Sequence, residues 1–362
     1  MAATRMTPRG ESSQPAASAD GGNGDAAALE LADLTVRIPV GDDVITAADR
    51  VSLSVRRGEV LGIVGETGCG KTVTCRAMLG LLPTTSSTHD GRVAYPRANQ
   101  PDVLSLRPAR RRRLWGDYIA MIPQNPMTSL NPIQRIGTQV EEAVAAHGNL
   151  SRAARRARVV ELMTRVGIPV PERRLRDYPH QFSGGMLQRT LIAIALAGEP
   201  EVLVADEPTT ALDVIIQDQI LSLLLNLQRD TGMSLVLVSH DLSVIAQTCD
   251  RVAVMYAGQV VELAESAQIM SAPRHPYTAA LLSSLPGAVP RDQPLTTIPG
   301  SPPQLVNQPE SCRFAERCPY ATELCRTATN ELVIADSTGR SVRCLRHTEL
   351  AATLAAGLHH DS

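Results

Sequence analysis

Several residue types and patterns are scarce in this sequence of 362 residues. The 35 basic residues nearly balance the 37 acidic ones, and only nine residues are aromatic. Balanced charge and few aromatic side chains both argue against a nucleic-acid-binding protein. No apolar run reaches the roughly 18 residues that a membrane-spanning helix needs, so we expect no transmembrane segment.

The N-terminal residues lack the apolar core of a signal peptide. Residues 1–26 are mostly Ala, Ser, Gly and charged side chains, and we expect them to form a disordered tail. Seven cysteines in a chain without an export signal argue against a disulfide framework. Hydrophobic residues make up 43% of the chain, enough for a sizeable core, and the length indicates two domains or one large domain with an appendage.

Lysine is the scarcest basic residue, because 34 of the 35 are arginine and only Lys71 is lysine. It lies in the segment Gly-Glu-Thr-Gly-Cys-Gly-Lys-Thr, residues 65–72, which fits the phosphate-loop pattern G-x-x-x-x-G-K-[ST]. An apolar strand is predicted over 60–64 and a helix over 71–82, the context that this motif requires. We therefore assign the following residues to nucleotide binding: Gly65, Glu66, Thr67, Gly68, Cys69, Gly70, Lys71 and Thr72.

Phosphate binding of this kind calls for a metal ion and a group that activates water. Lys71 would bridge the β- and γ-phosphates of ATP, and the Thr72 hydroxyl would be a Mg²⁺ ligand. A second apolar strand, predicted over 201–205, ends at Asp206 and Glu207. Asp206 would hold Mg²⁺ directly or through water, and Glu207 would polarise the attacking water molecule.

Strands and helices alternate along the chain, which predicts an α/β fold with a parallel sheet. We expect a core domain over 27–272 with a helical subdomain over about 125–198. A C-terminal extension is predicted over 273–347, followed by a tail over 348–362. Prolines are frequent over 273–310, which indicates a semi-rigid linker that wraps around the core.

Further motifs follow the phosphate loop in a fixed order. Gln124 stands in Ile-Pro-Gln-Asn-Pro, Ser183-Gly184-Gly185 begins a predicted helix, Asp213 follows Ala-Leu, and His240 follows an apolar strand. With the phosphate loop and Asp206-Glu207, this order resembles the ATP-binding-cassette (ABC) ATPases over roughly residues 28–265. The resemblance implies a RecA-like parallel sheet, an antiparallel β subdomain and an α-helical subdomain.

The resemblance also implies roles for these residues. Gln124 senses the γ-phosphate and contributes to Mg²⁺ binding, and His240 holds the γ-phosphate and positions water with Glu207. Two ATPase subunits pair head to tail, so that Ser183, Gly184 and Gly185 act on the partner's nucleotide and Asp213 lies at the interface. Many such ATPases stack adenine on an aromatic residue at the end of the first strand. Here the nearest candidate is Ile38, so aliphatic contact would replace stacking.

Four other segments resemble the D-type ATPase subunit of oligopeptide/dipeptide importers. They are residues 126–132, 178–181 and 274–278 and the cysteine-rich C-terminal region. The implied partners are a second ATPase subunit of a paralogous F type, two transmembrane permease subunits and an extracytoplasmic peptide-binding protein. The implied location is peripheral, on the cytoplasmic face of the inner membrane. Importers of nickel, glutathione or another small solute remain alternatives, and a soluble ABC ATPase is a less favoured one.

Four of the cysteines lie late in the chain, at Cys312, Cys318, Cys325 and Cys344. Their segment has little apolar content, and a bound metal would help to order it. Four thiolates allow zinc or a 4Fe–4S cluster, but the close cysteine pairs typical of zinc sites are absent. The importer resemblance also implies an iron–sulfur cluster, which we favour over zinc, with free thiols as a third possibility. We expect Cys75 and Cys249 to lie in the core.

Overall fold

The computed structural model describes residues 27–82, 86–210, 212–285 and 297–356. The predictions for residues 1–26, for Ala211 and for the last six residues of the tail lie outside the described residues. Within the described ranges, no helix combines the length and the apolar character needed to cross a membrane.

The described residues form two β-sheets. Their strands are β1 (Ala27–Val40), β2 (Asp43–Arg56), β3 (Val60–Val64), β4 (Thr88–Ala94), β5 (Ile119–Ile122), β6 (Val202–Asp206), β7 (Ser234–Ser239), β8 (Arg251–Tyr256), β9 (Gln259–Glu265), β10 (Val333–Ile334) and β11 (Ser341–Val342). The smaller sheet is antiparallel, in the order β2-β1-β4. The larger has the order β10-β11-β9-β8-β3-β7-β6-β5, and its strands β5, β6, β7, β3 and β8 are parallel.

Helices connect and cover these sheets. They are α1 (Lys71–Met78), α2 (Pro108–Arg112), α3 (Pro126–Ser129), α4 (Ile136–Ala146), α5 (Arg152–Arg165), α6 (Pro171–Arg174), α7 (Gly184–Ala195), α8 (Val214–Thr231), α9 (Leu242–Thr248), α10 (Ser266–Ser271), α11 (Pro276–Ser283), α12 (Glu323–Thr327) and α13 (His347–Ala356). Helices α4, α5 and α7 pack on one another. The predicted α/β fold with a parallel sheet is therefore confirmed, whereas the helix predicted over 71–82 ends earlier, at Met78.

Most of the buried apolar side chains among the described residues belong to two large clusters. One fills the space between the two sheets around α1, and it includes Val36, Met78 and Val238. The other joins the opposite face of the parallel sheet to α4, α5, α7 and α8, and it includes Leu162 and Leu224. Cys75 and Cys249 are buried, as predicted.

The parallel strands bring the predicted site together. In an open α/β sheet, ligands bind beyond the carboxyl ends of the strands. Four adjacent strands end beside functional candidates: β5 shortly before Gln124, β6 at Asp206, β7 just before His240 and β3 at the phosphate loop.

The prediction of a linker over 273–310 was partly wrong, because α11 (Pro276–Ser283) lies within it. Its Tyr277 is fully buried, and its N-terminus is capped by His275, whose Nδ1 accepts the Tyr277 N–H at 3.0 Å. Burial lowers the pKa of His275 to about 3, which keeps the ring neutral and able to accept this bond. Proline at the first helical position suits a helix start, so Pro276 begins this helix rather than preventing it.

Buried arginines fasten the C-terminal region to the rest of the molecule. Arg313 donates to the Ala257 carbonyl at 2.6 Å and pairs with Asp49. Arg340 pairs with Glu262, which is fully buried. Arg343 donates to the Val260 carbonyl at 3.1 Å. Planar guanidinium groups offer several donors in fixed directions, which suits them to such buried contacts.

Candidate active site

The phosphate loop joins β3 to α1 through three glycines with positive φ. Gly65, Gly68 and Gly70 have φ values of 158°, 82° and 102°. A Cβ on Gly65 would lie 2.1 Å from the Met255 carbonyl oxygen, and one on Gly70 would lie 2.1 Å from that of Ala47. Both contacts are with backbone, which cannot easily move aside. Glycine is therefore required where the loop turns tightly against its neighbours.

The Lys71 ammonium is held inside this loop. The residue is only 5% exposed, and Nζ donates to the carbonyl oxygens of Gly65 at 2.8 Å and Glu66 at 3.2 Å. It also lies 3.8 Å from Glu207 Oε1. A phosphate group would face this ammonium together with the N-terminus of α1, an arrangement that favours anions.

Two oxygen ligands suited to Mg²⁺ lie side by side. Thr72 Oγ1 is 3.4 Å from Asp206 Oδ1, and Asp206 is 2% exposed. Burial raises the pKa of Asp206, and the hydrogen bond from Thr72 opposes part of that rise. A divalent cation would favour the charged carboxylate, and hard oxygen ligands are the ones that Mg²⁺ prefers. The residues present therefore fit the metal.

Glu207 lies at the centre of the polar contacts. Its Oε2 accepts from Gln124 Nε2 at 2.9 Å and from Thr210 Oγ1 at 3.0 Å, and it lies 3.7 Å from His240 Nδ1. The residue has φ of 47°, a conformation uncommon outside glycine that places it just beyond the end of β6. Thr210 was not identified from the sequence.

A cavity of about 190 Å³ lies between these groups. The predicted residues that line it are Thr67, Gly68, Gly70, Lys71, Thr72, Gln124 and Glu207. Ala47, Val73 and Leu305 also line it, and none of the three was predicted from the sequence. Val73 follows the phosphate-loop motif directly, so its position could have been inferred. For Leu305 the sequence offers no such signal.

The Ser-Gly-Gly segment lies elsewhere on the chain. Ser183 caps α7, with Oγ accepting the Met186 N–H at 3.3 Å. Ser183 and Gly184 are exposed, and none of the three residues lines the cavity beside Lys71. The segment packs beside the start of α8, because a Cβ on Gly185 would meet Ile216 at 2.7 Å. Within one chain, therefore, this segment is separate from the phosphate loop.

The C-terminal region contacts the phosphate loop directly, a contact that was not predicted from the sequence. Arg317 donates from its two terminal nitrogens to the Glu66 carboxylate at 2.8 and 3.0 Å. The Tyr277 hydroxyl accepts the Glu66 N–H at 3.0 Å. Arg317 lies between Cys312 and Cys318, so the cysteine-rich segment and the loop share a two-point ion pair.

All four late cysteines line one small cavity of about 20 Å³, together with Phe314, Ala315 and Leu350 among others. Burial raises the pKa of Cys312 to about 11 and that of Cys344 to about 12. The donor set suits zinc or an iron–sulfur cluster. The arrangement of the four side chains does not suit a metal, because within the described ranges no group of three or more His, Cys, Asp or Glu side chains is placed so that it could hold a metal ion.

Comparisons with known proteins agree with this architecture. The model of the ABC transporter family matches residues 48–210, and that of the oligopeptide/dipeptide transporter C-terminal region matches residues 261–325. The dipeptide transport ATP-binding protein DppD of Escherichia coli is 47% identical over 301 residues, covering 82% of this chain and 90% of that protein. The chain belongs to the ATP-binding subunits of the oligopeptide/dipeptide ABC transporter family.

Other members of the family show similar agreement. The protein named DppD in Haemophilus influenzae is 46% identical over 326 residues, covering 90% of this chain and 96% of that protein. Among solved structures, the dimeric MJ0796 cassette in a post-hydrolysis state with ADP and Pi has a TM-score of 0.58 at 28% identity. The match covers 66% of this chain and 98% of the MJ0796 chain. The ABC ATPase fold is thereby confirmed, and the chain is an ATPase.

Proposed function

We propose that this protein is the ATP-hydrolysing, energy-coupling subunit of a peptide importer. The observation that carries the proposal is the convergence of Lys71, Thr72, Gln124 and Glu207 on one cavity, in a chain whose relatives are named as dipeptide transport proteins. The two transporter-family matches, one of them specific to the oligopeptide/dipeptide class, support the same substrate class.

The proposed reaction is transfer of the γ-phosphoryl group of ATP to water. The phosphate loop and Lys71 hold the phosphates, while Thr72, Asp206 and Gln124 are the candidate Mg²⁺ ligands. Bound Mg²⁺ would neutralise charge on the phosphates. Glu207 orients and polarises the attacking water, and His240 lies close enough to Glu207 to assist. Catalysis then consists of positioning and charge stabilisation.

The active form is a pair of ATPase subunits in which Ser183, Gly184 and Gly185 complete the partner's nucleotide site. Two observations support this arrangement. The segment does not line its own chain's cavity, and the nearby side chains of Val214 and Ile215 are 72% and 70% exposed. Exposed aliphatic side chains beside an exposed glycine turn suit a protein interface. The partner is a paralogous F-type subunit.

The remaining partners are two transmembrane permease subunits, which receive peptide from an extracytoplasmic binding protein. The protein then works at the cytoplasmic face of the inner membrane. Two apolar side chains that follow Gln124 in the sequence support a permease contact, since Met127 is 64% exposed and Ile133 is 84% exposed. Nucleotide-dependent movement of Gln124 would reach this surface through the short α3 helix. The domain boundaries given above, 27–272 and 273–347, remain part of this proposal.

The four late cysteines are proposed to hold a 4Fe–4S cluster, with zinc as the alternative. Their convergence on one cavity supports a shared ligand. Because burial holds the thiol pKa values high, metal binding would release protons from these groups. The side chains would also have to reorient, given their present spacing. No step of ATP hydrolysis depends on this group.

Purification of the assembled complex tests the proposed function most broadly. The protein, isolated by an affinity tag from mild detergent, should bring with it two integral membrane proteins and a second ATPase. In proteoliposomes, ATP should drive uptake of labelled peptide in the presence of the binding protein. Isolation without membrane proteins, or uptake of nickel or glutathione instead of peptide, would contradict the proposal.

A further inference from the structure

A short segment from outside the predicted cassette lies against the nucleotide cavity. This strap comprises residues 302–306, Pro-Pro-Gln-Leu-Val. The Leu305 carbonyl accepts the Thr46 N–H at 2.8 Å, and Val306 forms an antiparallel bridge with Ile45. The strap therefore extends the edge of β2 directly beside Ala47, which itself lines the cavity.

Leu305 belongs to two adjoining cavities. The first contains Lys71, Gln124 and Glu207 and is the phosphate end of the site. The second, of about 570 Å³, shares Thr67, Gly68 and Leu305 with the first but includes neither Gln124 nor Glu207. A nucleotide whose terminal phosphate faces Glu207 would therefore direct its other end past Leu305 into the second cavity.

The second cavity has an apolar character that suits a nucleoside. Its lining includes Ile45, Tyr256, Ala257 and all five strap residues, of which only Gln304 is polar, while Glu66 and Thr67 add polar groups beside the phosphate loop. Tyr256 is 1% exposed and its hydroxyl accepts a hydrogen bond from Arg317, so its ring is held within the protein. Aliphatic side chains thus form the accessible apolar surface at this end.

The strap is held at both of its ends. Before it, Arg317 Nε donates to the Pro299 carbonyl at 2.7 Å. After it, Arg50 pairs with Glu310 at 2.6 Å, and Arg313 pairs with Asp49. Two consecutive prolines restrict the backbone further. A wall fixed before the ligand arrives loses little conformational freedom on binding.

We propose that the strap is the nucleoside-binding wall of this ATPase, with Leu305 packing against the ribose and base of the nucleotide. The inference rests on the proposed function, because it assumes that the phosphate loop holds a nucleoside triphosphate. It assigns a binding role to a C-terminal residue and gives the site an aliphatic contact for the nucleoside.

Comparing ATP with inorganic tripolyphosphate separates contacts to the nucleoside from contacts to phosphate. Calorimetric titration of the full chain with each ligand, in the presence of Mg²⁺, gives both affinities. Leu305→Ala should weaken ATP binding by about five- to tenfold, the effect of losing part of a buried leucine contact. Tripolyphosphate affinity should change by less than about twofold, because no phosphate contact is altered.

Two further variants sharpen the test. Leu305→Met, similar in volume and apolar, should bind ATP within about twofold of the unmodified protein. Ile298→Ala removes a half-buried aliphatic side chain that precedes the strap and lines neither cavity, so both affinities should stay unchanged. Because this control also loses core packing, it shows whether general destabilisation affects binding.

Three results with Leu305→Ala would overturn the proposal. Tighter ATP binding would mean that Leu305 obstructs the nucleoside cavity. An equal loss of affinity for ATP and for tripolyphosphate would mean that the strap acts on the phosphate loop. Unchanged affinity for both would leave it no role in binding. If the unmodified protein bound neither ligand, the proposed function itself would fail, which is a distinct outcome.

Discussion

The ion pair between Arg317 and Glu66 should contribute measurably to stability. Its two nitrogen–oxygen distances are 2.8 and 3.0 Å, and the side chains are 7% and 23% exposed. Removing one partner of a buried pair costs about 3–5 kcal/mol. Since Glu66 keeps some contact with water, we expect Arg317→Met to lower the free energy of unfolding by about 2–3 kcal/mol.

A double-mutant cycle isolates the pair from other effects of the substitution. Arg317→Met, Glu66→Gln and the double variant are unfolded in urea and followed by circular dichroism. The decrease in the free energy of unfolding of the double variant should be smaller, by at least about 1 kcal/mol, than the sum of the decreases in the two single variants, because residues in direct contact couple. Additivity within about 0.5 kcal/mol would mean that the Arg317 and Glu66 side chains do not stabilise each other.

A surface ion pair of the same chemistry provides the control. Arg326 and Glu316 lie 3.3 Å apart in the same cysteine-rich segment, with side chains 44% and 83% exposed. Because solvent screens such pairs, Arg326→Met should lower the free energy of unfolding by less than about 1 kcal/mol. An equal loss from both arginine substitutions would mean that burial of the Arg317 pair has no special effect.

Two further predictions concern the C-terminal region. His275, with its pKa lowered to about 3 by burial, contributes stability that is present above its unfolded pKa of about 6.5 and lost as the pH falls toward 3. When the pH falls from 7 to 4.5, the free energy of unfolding of the unmodified protein should decrease by about 2–3 kcal/mol more than that of His275→Asn, which keeps a capping acceptor. Equal decreases in the two proteins would contradict this prediction. Anaerobically purified protein should be brown with about four irons per chain, and Cys344→Ser should reduce that content while Cys75→Ala should not. Colourless protein with stoichiometric zinc would refute the cluster.

Much of the nucleotide site could be predicted from the sequence because its residues follow buried strands. The carboxyl ends of β3, β5, β6 and β7 meet at one edge of the parallel sheet, so motifs far apart in sequence converge there. The glycines of the loop were also informative, since positive φ and close backbone contacts leave few alternatives to glycine.

The contacts of the C-terminal region could not be predicted in the same way. Arg317 and Glu66 are 251 residues apart, and nothing in the sequence distinguishes Arg317 from the many exposed arginines, such as those at 110, 112 and 113. Leu305 lies among prolines that indicated a linker, and its contact with β2 consists largely of backbone hydrogen bonding. Such pairing carries no side-chain pattern, because every residue except proline offers the same donor and acceptor.

In the proposed reaction, ATP is hydrolysed in the cavity between Lys71 and Glu207. Measuring ATP affinity and hydrolysis rate for Glu207→Gln in the assembled complex tests this claim, with Lys71→Ala as the control that should lose nucleotide binding. Glu207→Gln should bind ATP within about threefold of the unmodified protein while hydrolysis falls by about 100-fold or more, trapping the closed pair of ATPase subunits. Rapid hydrolysis by Glu207→Gln would contradict the assignment of water activation to Glu207.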